Sequence, residues 1–246
     1  MITSFLHQFM YQKWEDLVMA HYEADPDLIQ SSLPDDLLVD TYEGGAWFSV
    51  VAFRLTNLSI RPLTFLTWND FWEINLRTYV CDQEGNKGVW FYSLDSSDLW
   101  GVWGARLLYG LRYNFAQIER KGSSTDRNLI YSGNRGKIAT SRIEANWHEA
   151  QSAQSTPGSL DQFLLERYRF WVRRAIARRS SSAFVSHIPY QAVRVQNSTY
   201  EGSLFSSQGF AEPMSELDLG HYCSGFTVEA TAPEWAFSIS GQANQR

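Results

Sequence analysis

Two runs rich in aromatic and β-branched residues flank a short polar segment in the first half of the chain, and they restrict the fold more than any other feature. FWEINLRTYV (Phe71–Val80) and VWFYSLD lie on either side of Asp82–Gly88, a segment with two glycines and an asparagine. Such runs favour strands, and the segment between them favours a turn, so the pattern predicts an antiparallel hairpin. Alternate side chains of a strand point to opposite faces, which places Glu73, Asn75 and Arg77 on one face.

The remaining pattern predicts more strands than helices. Ala46–Leu55 predicts a buried strand that forms a hairpin with Leu38–Asp40, and QKWEDLVMAHYE fits a short helix and a strand equally well. Helices are predicted after Asp25-Pro26, in the Trp- and Gly-rich DLWGVWGARLLYG, and in DQFLLERYRFW. The expected fold class is α+β, with a mostly antiparallel, barrel-like sheet and a few short helices.

Length and composition limit the partners and the compartment. The 246 residues are expected to form a single domain, with a core of about residues 10–230 and a loosely held tail at 233–246. A net charge of −6 argues against nucleic acid as a partner. No signal peptide and no apolar run of about 18 residues is recognisable, so we expect a cytoplasmic protein with no membrane partner. Aromatic residues make up 15% of the chain, and a homodimer is expected to cover those that are exposed.

The cysteines and histidines predict no metal and no cofactor. Cys81 and Cys223 are the two cysteines, they are far apart, and neither belongs to a CxxC motif. They are typical of free thiols in a reducing compartment. The histidines are scattered without HxH or HxxxH spacing, which argues against a metal site.

A candidate pocket follows from the polar face of the central strand. Arg106 in the Trp-rich helix and Tyr113 just after it are the side chains that we expect beside that face. Glu73 between Arg77 and Arg106 could position a polar ligand or serve as a general base, although paired arginines would lower its pKa. A purely structural ion-pair network that fixes the strand to the helix is the favoured alternative.

A second charged feature is the run of six arginines between Arg167 and Arg179. It could bind an anion, an acidic partner or RNA. A solvated charged face is the favoured interpretation, because no aromatic platform or nucleic-acid motif accompanies the run.

Several motifs together resemble the DUF2071 (YqjF-like) family of bacterial proteins. They occur in fixed order across residues 10–230 and are YQKWEDLVMAHYEADPDLIQ, FWEINLRTYV, GVWFYSLDSS, WGARLLYGLRYNFA and LDQFLLERYRF. That family has no established activity and is similar in fold to acetoacetate decarboxylase. The resemblance implies an acetoacetate decarboxylase-like fold with an internal pocket. His21 could also line that pocket, but a structural imidazole with its hydrogen bonds satisfied is the favoured interpretation. The segment His187–Tyr190 departs from the family pattern, in which a tryptophan follows the proline.

The comparison with acetoacetate decarboxylase also argues against Schiff-base decarboxylation as the activity of this chain. That enzyme uses a lysine to form a Schiff base, shortly after an Arg-x-x-x-Gly pattern that Arg106–Gly110 resembles. Tyr113 stands at the matching position, and no lysine occurs between Lys87 and Lys121. An imine requires an amine nucleophile, so the chain is not expected to be a Schiff-base decarboxylase unless Lys121 reaches the pocket.

Two functions remain open at this point. The first is the binding or turnover of a small carboxylate or carbonyl compound, which is the expected small-molecule partner. The second is a non-catalytic sensing or protein-interaction module, whose pocket is filled by its own aromatic side chains.

Overall fold

The structure, a computed structural model, describes residues 8–61, 68–99, 110–147, 151–153, 155–173, 179–214 and 218–232. These ranges contain fifteen strands and two short α-helices, with a 3-10 turn at Ser206–Gln208. The strands are β1 (Gln8–Ala24), β2 (Leu37–Val39), β3 (Ala46–Ile60), β4 (Phe71–Asp82), β5 (Lys87–Ser96), β6 (Tyr113–Phe115), β7 (Gln117–Ser123), β8 (Asn128–Asn134), β9 (Thr140–Asn146), β10 (Gln151–Ser152), β11 (Arg169–Val172), β12 (Ser181–Ser186), β13 (Ala192–Val195), β14 (Asn197–Gly202) and β15 (Leu219–Thr231), and the helices are α1 (Pro26–Gln30) and α2 (Leu160–Leu165).

Eleven strands form the larger sheet, in the order β1-β3-β4-β5-β11-β12-β15-β13-β10, with β2 beside β4 and β6 beside β5. β1 also pairs with β15. Most pairs are antiparallel, but β5 is parallel to both β11 and β6, because the chain returns to β5 through crossover connections and not through hairpins. The prediction of a mostly β fold with few helices is confirmed. However, the sheet is mixed and branched, so the mostly antiparallel, barrel-like sheet that we expected is present only in part.

A second sheet of four antiparallel strands, in the order β14-β9-β8-β7, packs against the first. Leu129 and Tyr131 of β8 share one hydrophobic cluster with Ile74 and Leu76 of β4. The hydroxyl of Tyr131 also donates a hydrogen bond of 2.7 Å to the carbonyl of Asp16 in β1. Apolar burial and hydrogen bonds to β1 therefore join the two sheets.

The central hairpin is confirmed, whereas the neighbouring one is wrong. β4 and β5 pair antiparallel from Glu73–Ser96 to Cys81–Lys87, around the predicted turn. β2 was expected to pair with β3, but it pairs with the end of β4 instead. The physical reason is that β1 and β4 already occupy both edges of β3.

Two further segments differ from a helix. QKWEDLVMAHYE, which fitted helix and strand equally well, is strand throughout, as part of β1. The helix in DQFLLERYRFW ends at Leu165, and Arg169–Val172 continues as β11, where aromatic and β-branched side chains suit a half-buried strand. Most of the Trp- and Gly-rich segment lies outside the described residues. Within the described ranges, no helix is long and apolar enough to cross a membrane.

The interior relevant to function lies between β1, β3, β4 and β15. Alternate residues of these strands point inward and form one buried cluster together with residues from the α2 and β13 regions. Its members are Leu17, Met19, Val51, Phe53, Leu55, Phe71, Leu165, Tyr190, Ala192, Cys223, Phe226 and Val228.

Gly225 allows the close approach of β15 to β1. Its φ is 126°, and a Cβ added there would lie 2.1 Å from the carbonyl oxygen of Trp14. We expect Gly225→Ala to destabilise the fold by about 2–3 kcal/mol, because backbone strain adds to overpacking. Gly136→Ala is the matched control: its φ is 66° but no atom lies within 4 Å, so strain alone should cost about 1 kcal/mol. Equal losses in the free energy of unfolding for the two variants, measured in urea, would contradict the role of the close approach between β15 and β1.

Candidate functional site

A cavity of about 140 Å³ opens beside the inner face of β4. Glu73, Asn75 and Arg77 line it because they alternate along β4, as the sequence predicts. Tyr113 reaches the same cavity from β6, which pairs with β5. Four of the six candidate residues are thus brought together. That they bind a ligand stays a prediction.

The rest of the lining is mainly apolar and aromatic. β1, β3, β5 and β11 contribute most of it, and the loop before β13 contributes one tyrosine. The lining residues that were not among the six candidates include Gln12, Trp14, Phe53, Phe91, Arg167, Arg169, Phe170 and Tyr190. Gln12 and Trp14 follow the alternation of β1, so they could have been found once that segment was recognised as a strand. Tyr190 lies in a loop, so the alternation of a strand could not assign it to the cavity.

Glu73 is buried and carries a raised pKa. Its side chain accepts hydrogen bonds from Asn75 Nδ2 at 3.0 Å and from the hydroxyl of Tyr113 at 2.7 Å. Burial raises its pKa to about 7, and the two hydrogen bonds offset only part of that effect. Arg77 Nε and Nη2 have no hydrogen-bond partner among the described residues, so neither atom binds the carboxylate of Glu73. Arg77 does lower this pKa, as expected of a nearby arginine, but the loss of solvent around Glu73 outweighs its attraction.

Four buried polar atoms of the cavity lining have no hydrogen-bond partner in the described part of the chain. They are Asn75 Oδ1, Arg77 Nε, Arg77 Nη2 and Trp14 Nε1. Arg77 is 7% exposed, and an arginine remains charged at any physiological pH. An unpaired buried charge is costly, so this cluster is the strongest indication of a missing binding partner.

The other two candidates are not among the described residues that line the cavity. Arg106 falls outside the described residues. His21 is fully buried, with Nδ1 2.7 Å from Ser49 Oγ and Nε2 3.0 Å from His221 Nδ1. His221 Nε2 in turn lies 3.1 Å from Asp161 Oδ1. Both ring nitrogens of His21 are thus used inside the protein, and burial lowers its pKa well below the usual value. The structure supports a neutral, structural imidazole.

The arginine run is not one uniform solvated face. Arg167 is buried, and its Nη1 donates a 2.7 Å hydrogen bond to Asp40 Oδ2. Its guanidinium also lies 4.3 Å from the centre of the Phe163 ring. Arg169 is on β11 and donates to Ser182. Two of the six, at positions 174 and 178, fall outside the described residues. The first arginines of the run therefore belong to the cavity wall.

The comparisons with known proteins identify the family. The DUF2071 family, described as an uncharacterized conserved protein, matches residues 11–227. The chain belongs to the DUF2071 family. It is 37% identical over 170 residues to the uncharacterized protein YqjF of Bacillus subtilis (strain 168), a match that covers 66% of each chain and so just under two thirds of that relative.

Solved structures show the fold that this DUF2071 chain shares. An acetoacetate decarboxylase from Legionella pneumophila matches with a TM-score of 0.60 at 15% identity, over 90% of this chain and 84% of the other. An acetoacetate decarboxylase-like enzyme from Sphingomonas wittichii RW1 matches with a TM-score of 0.61 at 16% identity, over 92% of each chain. At these identities the likeness establishes an acetoacetate decarboxylase-like fold and no activity.

The lysines of this DUF2071 chain lie outside the cavity lining. The sequence contains four, Lys13, Lys87, Lys121 and Lys137. Lys121 is exposed on β7 of the smaller sheet, where it pairs with Ile130. It does not reach the cavity, so the amine that a Schiff base needs is missing from the described lining. The described residues also contain no group of three His, Cys, Asp or Glu side chains that could hold a metal ion.

Proposed function

We propose that the cavity binds a small carboxylate or carbonyl compound and that Arg77 receives its negatively charged or polarised oxygen. The observation that carries the proposal is the buried guanidinium of Arg77, whose Nε and Nη2 have no hydrogen-bond partner among the described residues. A carboxylate presents two oxygens to an arginine in a charge-assisted, bidentate arrangement. A bound anion would therefore compensate both the charge and the two unpaired donors.

Glu73 supplies the chemistry that we propose for turnover. With a pKa of about 7, it is present in both protonation states near neutral pH. An acid–base group works best when its pKa lies near the working pH. Glu73 would accept a proton from the ligand or return one to it, with Tyr113 and Asn75 holding the carboxyl group in place.

The fold neighbours support a small-molecule ligand without defining the reaction. The two solved structures above are an acetoacetate decarboxylase and a decarboxylase-like enzyme. The described lining contains no lysine, which argues against imine formation. Specific binding without turnover would instead favour the sensing role.

The test is ligand-induced stabilisation with two arginine variants. We expect a carboxylate at 100 times its Kd to stabilise the wild type by about 2.7 kcal/mol. Arg77→Gln should weaken binding about 100-fold, since charge-assisted hydrogen bonds are each worth about 1.5–3 kcal/mol. Arg54→Gln is the control, because Arg54 pairs with Asp70 on the surface. The measurement is a thermal-shift screen of keto acids, hydroxy acids and simple carboxylates.

The stability of the free variants distinguishes a binding defect from a folding defect. Arg77→Gln removes an unpaired buried charge, so the ligand-free variant should melt at least as high as the wild type. Equal ligand shifts in Arg77→Gln and Arg54→Gln would overturn the proposed site.

We also propose that the chain forms a single domain, because one hydrophobic cluster joins both sheets. A homodimer is a further proposal. Exposed apolar side chains on or near β12, including Phe184 at 42% and Ile188 at 58%, are candidates for a dimer contact.

A further inference from the structure

The unpaired atoms of the cavity are of two opposite kinds. Arg77 Nε, Arg77 Nη2 and Trp14 Nε1 are donors, whereas Asn75 Oδ1 is an acceptor. Asn75 Nδ2 is engaged with Glu73, which leaves the oxygen as the free end of the amide. A ligand that satisfies all four atoms must accept hydrogen bonds and must also donate one.

We propose that the ligand is a 2-hydroxy carboxylate with a short, branched apolar side chain. The inference rests on the proposed function, in which Arg77 receives a carboxylate. It goes further by assigning Asn75 to a hydroxyl group and the aromatic wall to the side chain of the ligand.

The hydroxyl follows from hydrogen-bond accounting. A carboxylate and a keto group only accept hydrogen bonds, so neither can satisfy Asn75 Oδ1. A hydroxyl donates one hydrogen bond and still accepts another, which Trp14 Nε1 can supply. Asn75 and Arg77 are two positions apart on one face of β4, about 7 Å between Cα atoms. A hydroxyl on the carbon next to the carboxylate fits that spacing.

The apolar side chain of the ligand is inferred from the aromatic residues that surround the polar face of β4. Phe53 of β3 is opposite Glu73, and Phe91 of β5 is opposite Arg77. Phe53 also packs against Trp14, with ring centroids 4.9 Å apart. The cavity of about 140 Å³ is close to the cavity of about 150 Å³ that accommodates benzene. A compact branched group therefore fits the cavity.

The experiment compares four acids that differ in one feature each. Calorimetry on the full chain would measure the Kd of 2-hydroxy-3-methylbutanoate, 3-methylbutanoate (no hydroxyl), 3-methyl-2-oxobutanoate (keto in place of hydroxyl) and lactate (no branched side chain). We expect the first to bind tightest. Loss of the hydroxyl donor should weaken binding about tenfold, and loss of the side chain should also weaken it about tenfold.

Asn75→Ala assigns the hydroxyl contact. In this variant 2-hydroxy-3-methylbutanoate and 3-methylbutanoate should bind equally, while both still bind more tightly than lactate. Should the variant fail to fold, the four-acid comparison on the wild type decides alone.

The outcomes separate this inference from the proposed function. Equal Kd values for the hydroxy, keto and unsubstituted acids in the wild type overturn the hydroxyl assignment, and a lactate Kd as low as that of the branched acid overturns the side-chain assignment. Both results leave carboxylate binding at Arg77 intact. No binding of any of the four acids overturns the inference, and if the wider carboxylate screen also shows no shift that depends on Arg77, the proposed function fails with it.

Discussion

Replacing Asp40 with alanine is expected to lower the free energy of unfolding by about 3–5 kcal/mol. Asp40 accepts the hydrogen bond of Arg167 at 2.7 Å, and the side chains are 9% and 5% exposed. Without Asp40 the guanidinium stays buried beside Phe163 and lacks a counter-charge. Domains are typically stable by only about 5–15 kcal/mol, so this single change removes a large share of the total.

A surface pair provides the matched control for Asp40. Arg54 and Asp70 approach to 2.6 Å, but their side chains are 41% and 43% exposed. Asp70→Ala should therefore cost at most about 1 kcal/mol. Urea unfolding of both variants measures the difference, and Asp40→Asn, which keeps an acceptor without charge, should fall between them. Similar losses for Asp40→Ala and Asp70→Ala would show that burial does not determine the strength of this contact.

The second large effect is a loss of stability with rising pH that depends on Glu73. Its pKa is about 7 in the folded chain, compared with 4.5 as the ordinary value. Below pH 4.5 both states hold the proton, and above pH 7 both have lost it. Between these limits the unfolded state ionises first, so stability falls as pH rises and then levels off. The shift corresponds to about 3 kcal/mol.

Glu73→Gln tests this titration directly. The neutral amide cannot ionise, so the variant should lack the decline between about pH 4.5 and pH 7. At pH 8 we expect it to be more stable than the wild type, by up to about 3 kcal/mol less the cost of any hydrogen bond that glutamine makes poorly. Glu84→Gln, at an exposed position in the turn after β4, should leave the pH profile unchanged. A wild-type profile that rises between pH 5 and pH 7, with Glu73→Gln parallel to it, would contradict the raised pKa.

The local sequence pattern was sufficient to predict the elements of the fold that have a strong periodicity. It was too weak to predict the short or ambiguous elements. The β4–β5 hairpin has two strand-forming runs with a turn between them, so its antiparallel pairing follows from residues that are close in sequence. Strand β2 has only three residues, so its partner is decided by which sheet edges are free. β11 was assigned to a helix because its sequence continues the apolar pattern of α2, and only its pairing with β5 and β12 makes it a strand.

The candidate site was also predictable only in part. The polar face of β4 was predictable, because alternation along one strand places Glu73, Asn75 and Arg77 together. The raised pKa of Glu73 was not predictable. It depends on how deeply Glu73 is buried and on the distance to Arg77, and a local sequence pattern contains neither quantity. The hydrogen-bond partner of His21 could not be predicted either, because His221 is 200 positions away in the sequence.

The pairing of β1 with β15 also affects how the chain reaches its native state. One edge of β1 pairs with β3, which follows soon after it in the sequence. The other edge pairs with β15, which lies some 200 residues later. Contacts this distant in sequence slow folding, because chain entropy is lost before the contact energy is gained. During synthesis, β1 must keep an open edge and an apolar face until nearly all of residues 8–232 have emerged. This interval is when the nascent chain is most exposed to aggregation, and chaperone binding would be most useful to it then.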